Sequence, residues 1–321
     1  MMMPSLADLH AAAASVHKVI PPTPQIRWPL LCERVGAEVW VKHENHTPLG
    51  AFKVRGGALY IADLIQREPT VTGVIAATRG NHGQSVAFAA AQRGLRSVVV
   101  IPHGNSREKN AAMRAFGAEV IEHGDDFQDA LVHASAVAQS EGLHFVGSFH
   151  RTLVLGVASY ALELCQAIPD LDAIYVPIGL GSGICGTIAV RNALGLKTEI
   201  IGVVADGAPA YALSVAAGRV IASERVTTMA DGMAVRVPDP DALDVIVTHA
   251  ARLVVVTDAE IRAAMRHLFT DTHNVAEGAG AAALAALIKE SPRMRGRRVC
   301  VIQTGGNIDR ELFAEVLSES A

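Results

Sequence analysis

The chain has 321 residues, 50% apolar and 19% charged, enough for about two domains at roughly 100–200 residues each. Lysine and arginine number 28 against 32 acids, a net charge of −4, which excludes a general binder of nucleic-acid phosphates. Aromatics at 4% are too sparse for a base-stacking platform, and a half-apolar chain of low net charge is the opposite of a disordered one.

In chain order, Leu6–Val16 is apolar but interrupted by Asp8 and His10, with no basic stretch before it, so it does not read as a signal peptide. Apolar, β-branched runs follow at Val71–Ala76, Ser97–Ile101, Glu119–Glu122, Ile174–Ile178, Glu199–Val204, Leu253–Val256 and Val299–Gln303. Short runs without alternation predict strands buried on both faces of a parallel sheet. Helical patterns rich in alanine and leucine lie between them, at Gly83–Gln92, Arg107–Phe116, Phe127–Glu141, Val157–Ala167, Ala259–Phe269 and Gly280–Lys289. The alternation predicts an α/β fold with right-handed crossovers. Ala173–Val190 carries no charge over a length that meets a membrane span, but Pro177 and the glycines of 179–186 predict a turn there. Cys32, Cys165, Cys185 and Cys300 are far apart with no zinc-type spacing, which points to a reducing cytoplasm and no metal centre.

Ligands of open α/β sheets sit beyond the carboxyl ends of strands, at helix N-termini, so the glycine-rich junctions carry the function. Four stand out. In the first, Lys53 follows Pro48, Gly50 and Phe52 and precedes Gly56-Gly57 at a turn feeding a helix. An apolar neighbour lowers an amine's pKa and suits it to Schiff-base chemistry, although a solvated lysine would satisfy the same segment. In the second, Thr78-Arg79-Gly80-Asn81-His82-Gly83-Gln84 follows a strand and opens a helix whose free N–H groups suit a carboxylate or phosphate. In the third, Gly181-x-Gly183-x-x-Gly186 with Asp206 beyond the next strand fits either a dinucleotide fingerprint or a simpler phosphate cradle. In the fourth, Thr304-Gly-Gly-Asn307 delivers a neutral hydroxyl after the last strand.

Together with Thr23-Pro24, Ala230-Asp231-Gly232 and Glu277-Gly-Ala-Gly-Ala281, these segments resemble, in order and spacing and over nearly the whole chain, the serine/threonine dehydratase family of fold type II pyridoxal-phosphate enzymes. The resemblance implies two open twisted α/β domains, with residues 46–146 as a small mobile domain and 1–45 with 147–321 as the large one. It implies pyridoxal 5′-phosphate as cofactor, Lys53 as the lysine that binds it covalently, and Phe52 beside its ring. Asn81 would bond the ring's 3′-oxygen, Gly179, Leu180, Gly181, Ser182 and Gly183 the phosphate, and Thr304 the ring nitrogen. Thr78, Arg79, His82 and Gly83 would face the substrate carboxylate. The activity implied is β-elimination of water from a β-hydroxy amino acid, L-threonine or L-serine foremost, in a cytoplasmic homodimer without nucleic-acid or membrane partners. Rival readings are the same chemistry on 3-hydroxyaspartate, phenylserine or an intermediate of hydroxyectoine breakdown, a nicotinamide-dependent oxidoreductase, and a regulatory protein without catalysis.

The chain departs from the family at several places. Arg79 stands where racemases of the family place a serine base; a guanidinium is a poor proton shuttle, so weak or absent racemisation is expected. Val204 and Ala210 replace the acids of the family's divalent-metal site, leaving only Asp206, so no Mg²⁺ or Ca²⁺ is expected there. Ala51 replaces a usual serine, and Ser148-Phe149-His150-Arg151 exchanges two acids for a base and a cation. Isoleucine feedback is not expected, since little chain follows Asn307.

Overall fold

A computed structural model describes residues 3–319. Its strands are β1 (Gln25–Arg27), β2 (Glu38–His43), β3 (Gly73–Ala77), β4 (Arg96–Ile101), β5 (Glu119–Glu122), β6 (His144–Phe145), β7 (Ala173–Pro177), β8 (Glu199–Ala205), β9 (Arg252–Val256) and β10 (Arg298–Gln303). They form a six-stranded sheet ordered β1–β2–β10–β7–β8–β9 and a four-stranded sheet ordered β5–β4–β3–β6. Every neighbouring pair is parallel except β1–β2, a short antiparallel addition at the edge. The expected fold class, α/β with two open sheets, is therefore observed.

Burial on both faces holds for β3 and β7, which are buried throughout, and nearly so for β4 and β8. It fails for β5 and β9, whose residues are partly exposed because both strands lie at sheet edges, where the covering helices run out. Helix Phe127–Glu141 has the expected limits, started by the Asp126 carboxylate, which accepts from the N–H groups of Gln128 and Asp129. The helix expected at Val157–Ala167 extends back to Arg151, because His150 Nδ1 accepts from the Thr152 N–H and so supplies a cap that apolar periodicity does not register. Helix Gly278–Lys289 packs against the large sheet with its residues from Gly278 to Leu287 all buried. Each large aliphatic side chain enclosed there contributes about 1.5–3 kcal/mol.

The charge-free run Ala173–Val190 divides into β7, a glycine turn and helix Ser182–Ala193. Among the described residues no helix is long and apolar enough to cross a membrane. All four cysteines are unpaired thiols.

Candidate active site

Lys53 is the first residue of helix Lys53–Arg67, reached from β2 by a turn in which Thr47 Oγ1 accepts from the Ala51 N–H (3.0 Å) and donates to the Ala51 carbonyl (2.9 Å). This turn is stitched to the loop after β10: the Phe52 N–H donates to the Thr304 carbonyl (3.0 Å) and the Gly306 N–H to the Gly50 carbonyl (2.9 Å). Two segments at opposite ends of the chain thus fix one amine. Lys53 Nζ lies 3.4 Å from Ser182 Oγ and 5.1 Å from the centre of the Phe52 ring. A void of about 10 Å³, about room for one water, lies beside it, bounded by Gly56, His82, Leu153 and Ser182 among others. Burial of the amine lowers its pKa to about 8.

Ser182 opens helix Ser182–Ala193 after Gly181, whose φ of +103° belongs to glycine. A Cβ on Gly179 would lie 2.2 Å from the Gly232 carbonyl oxygen, so that position too admits only glycine. The Tyr211 hydroxyl donates to the Leu180 carbonyl (2.9 Å) and the Tyr160 hydroxyl to the Gly183 carbonyl (3.1 Å). With these carbonyls engaged, the loop is left to offer its N–H groups at the positive end of a helix, a cradle for phosphate.

After β3, Thr78 Oγ1 accepts from the N–H groups of Gly80 (2.9 Å) and Gly83 (3.3 Å), turning the chain into helix Asn81–Ala91. A Cβ on Gly83 would meet Met113 Sδ and Thr78 Cγ2 at 2.6 Å. Asn81 Nδ2 donates to Glu277 Oε1 (2.6 Å), and Asn81 Oδ1 accepts from Asn307 Nδ2 (2.8 Å). His82 is buried with Nε2 3.3 Å from the Val146 carbonyl, and burial together with the charge of Lys53 pushes its pKa down to about 4. The imidazole is therefore neutral, and Nε2 carries the proton it donates. A cleft of about 190 Å³ adjoins this loop, lined by Arg79, Lys109, Asp231, Glu277, Asn307 and Asp309 among others.

The structure thus brings Lys53, Phe52, Ser182, Gly183 and His82 into one group, ties Thr304 to it through the backbone, sets Arg79 on the adjoining cleft, and bonds Asn81 to Glu277 and Asn307 of that cleft's lining. Of the Ser148–Arg151 segment only Ser148 borders the space beside Lys53; His150 caps its helix and meets the Tyr60 ring edge-on, and Arg151 is exposed. Asp206 Oδ1 accepts from the Gly207 N–H (2.7 Å) and closes its own turn. Among the described residues no cluster of His, Cys, Asp or Glu is arranged to hold a metal ion.

Sequence reasoning quoted Glu277, Asn307 and Asp231 only as parts of motifs and overlooked Lys109, whose Nζ pairs with Glu277 Oε2 (3.1 Å) and Asp231 Oδ2 (3.3 Å). One signal was available. Lys109 sits in the first turn of helix Arg107–Ala115, where the helix dipole disfavours a cation unless outside carboxylates compensate it.

An enclosed amine of lowered pKa, a glycine-only anion cradle against it, an amide and a neutral hydroxyl form a donor set that fits pyridoxal phosphate. The pyridoxal-phosphate dependent enzyme family matches residues 16–305, and the chain belongs to it. It is 31% identical to the L-threonine ammonia-lyase of Thermotoga maritima over 99% of this chain and 79% of that one. It is 36% identical to the L-threonine ammonia-lyase of Geobacter sulfurreducens over 89% of this chain and 71% of that one. Among solved structures it resembles the processed form of threonine deaminase isoform 2 from Solanum lycopersicum, with a TM-score of 0.90 and 27% identity, covering 99% of this chain and 95% of that one. The protein is a pyridoxal-phosphate-dependent dehydratase, a carbon–nitrogen lyase of the serine/threonine dehydratase family, and the oxidoreductase reading is set aside.

Proposed function

We propose that the chain eliminates water from L-threonine or L-serine and releases a 2-oxo acid and ammonia, with Lys53 as its catalytic base. The observation that carries this is the Lys53 amine, of pKa about 8, enclosed 3.4 Å from the serine that opens the glycine-loop helix. The names of the relatives support the substrates. Pyridoxal phosphate, when bound, supplies an aldehyde for amines and an electron-withdrawing ring that stabilises negative charge at the substrate's α-carbon.

The residues divide the remaining work. Lys53, neutral in a good fraction of molecules near pH 8, takes the α-proton. The loop Gly179–Gly183 would hold the phosphate through backbone N–H groups, with Phe52 beside the ring. Asn81, braced by Glu277 and Asn307, presents its amide to the ring's 3′-oxygen. Thr304 would offer the ring nitrogen a neutral hydroxyl in place of a carboxylate, a weaker partner for a positive charge there. Thr78, His82 and Gly83 form the socket for the α-carboxylate at the helix N-terminus. Arg79 stands where a second proton-transfer group would sit, and its fixed charge keeps racemisation weak.

Residues 46–146 act as the mobile domain that closes over the substrate and excludes water; the four-stranded sheet lies within these limits. The enzyme works as a homodimer; for its place in the cytoplasm, the unpaired cysteines are what a reducing compartment leaves. In the test, purified protein is yellow, releases ammonia from threonine and serine, and after borohydride reduction carries the cofactor on the peptide containing Lys53. Lys53→Ala loses colour and turnover together. Colour retained in that variant, or an adduct on another lysine, would overturn the assignment.

A further inference from the structure

The cleft beside Asn81 holds two cations in different states. Lys109 Nζ is matched by Glu277 at 3.1 Å and Asp231 at 3.3 Å. Arg79 has no such match: among the described residues no carboxylate or other acceptor is bonded to its guanidinium. The carboxylates around it are committed elsewhere. Glu277 also takes the Asn81 amide (2.6 Å). Asp309 holds Ser106 Oγ (2.5 Å) and the N–H groups of Arg107 and Glu108. Asp126, whose acidity Arg79 increases from a distance, accepts from the N–H groups of Gln128 and Asp129 and pairs with Arg236 at 3.3 Å.

The α-carboxylate socket proposed at the start of helix Asn81–Ala91 has its own means of holding an anion, namely the Asn81 and His82 N–H groups, the positive helix end and the Thr78 hydroxyl, whose oxygen takes the Gly80 and Gly83 N–H groups and whose proton is left to donate. The guanidinium is surplus to it. Closing a cleft over an unmatched cation is unfavourable, whereas a carboxylate supplied by the ligand would bind it through two parallel hydrogen bonds. Neither threonine nor serine carries such a group.

Resting on the proposed β-elimination, we infer that Arg79 is a specificity-determining residue that reads a second carboxylate, so that the site ranks acidic β-hydroxy amino acids of the 3-hydroxyaspartate class above threonine and serine. The reader and the reacting centre are separate: Lys53 handles the bond that breaks, and Arg79 selects what hangs from the β-carbon.

The test uses the holoenzyme with two independent readouts. The first is ammonia release from 3-hydroxyaspartate (both diastereomers), threonine and serine; a kcat/KM at least tenfold higher for one hydroxyaspartate diastereomer is expected. Arg79→Ser should shrink that preference by roughly 10–100-fold, the range for losing hydrogen bonds to a charged partner, and chiefly through KM, with Arg79→Lys in between. The second readout is the thermal shift produced by succinate against that of butanoate. Succinate should stabilise the wild type more, and the difference should vanish in Arg79→Ser. Losses equal for all substrates would overturn the inference by assigning Arg79 to the common α-carboxylate. Threonine turned over as well as hydroxyaspartate would overturn it while leaving the dehydratase intact. A yellow protein that releases ammonia from none of these would sink the β-elimination proposal instead, and the succinate comparison would still decide whether Arg79 reads a second carboxylate.

Discussion

Lys53 carries the sharpest consequence at the scale of single residues. An amine of pKa about 8 has, at pH 7, roughly three hundredfold more neutral form than an ordinary lysine of pKa 10.5. Capture of the cofactor by the cofactor-free protein should therefore rise with pH to a half-maximum near 8, followed by the growth of visible absorbance. A midpoint near 10 would mean that the amine is solvated. The sign for stability follows from the same shift. Between about pH 8 and 10.5 the unfolded chain binds more protons at Lys53 than the folded one, so this residue's contribution to stability rises with pH across that window. His82, depressed to about 4, is neutral in the folded protein above that pH and adds no limb to cofactor capture near pH 6.5; between about pH 4 and 6.5 the unfolded chain binds more protons there, so its contribution to stability also rises with pH. In the sequence a solvated lysine would satisfy the Lys53 segment equally well; no local motif reveals that Ser182, His82 and Leu153 border the space beside it.

Helices Lys53–Arg67 and Arg151–Ala167 decide where that amine stands. They approach so closely that a Cβ on Gly156 would lie 2.4 Å from the Arg55 carbonyl. Between them Arg55, fully buried, donates to both oxygens of Glu44 (2.7 and 3.0 Å) and to both oxygens of Glu163 (2.6 and 3.1 Å). Lys42, also fully buried, completes a neutral set of four charges by donating to Glu163 and to the Thr23 carbonyl (2.7 Å). Burying such a set gains little over apolar packing, but removing one member leaves a charge without compensation. Glu163→Gln should therefore cost about 3–5 kcal/mol, read as a lowered midpoint in urea unfolding. A loss under 1 kcal/mol would show that water or rearrangement replaces the carboxylate. The same set explains why β2 is inconspicuous in the sequence: its last residues, Lys42 and His43, are polar yet buried, and apolar patterning does not register them.

Across the whole molecule, the two sheets are joined by polar contacts at the cleft. Asp309 caps helix Arg107–Ala115 through the N–H groups of Arg107 and Glu108, and Glu108 Oε1 reciprocally accepts from the N–H of Arg310 (2.9 Å), which opens helix Arg310–Ser318. The Lys109 pairs to Glu277 and Asp231 lie beside them. These contacts at the cleft are caps and ion pairs, which would part more readily than apolar packing in the proposed closure of residues 46–146. The apolar contacts between the two parts lie elsewhere, where Val16 and Ile20 meet Leu49 and Val54 and where Leu153 meets Tyr60 and Leu64. Asp309→Ala removes a cap worth about 1 kcal/mol. Amide exchange in helix Arg107–Ala115 should then quicken roughly fivefold, with smaller change in helix Phe127–Glu141 on the same sheet. Equal exchange in both helices would show that Asp309 does not govern the contact.

The amino-acid sequence alone determined the alternation of strands and helices, the glycine loops after β3 and β7, and the lysine they serve. Those features are local: a glycine-only conformation or an uninterrupted apolar run follows from sterics and hydration within a few residues. Tertiary structure alone decided which polar groups meet. Lys109 finds Asp231 across 122 residues, and Asn81 reaches Asn307 across 226. The exposed edges of β5 and β9, the short strands β1 and β6, and the unmatched charge of Arg79 belong to the same category. Charge pairing depends on separation in space and on burial, and neither quantity is defined until the sheets have packed.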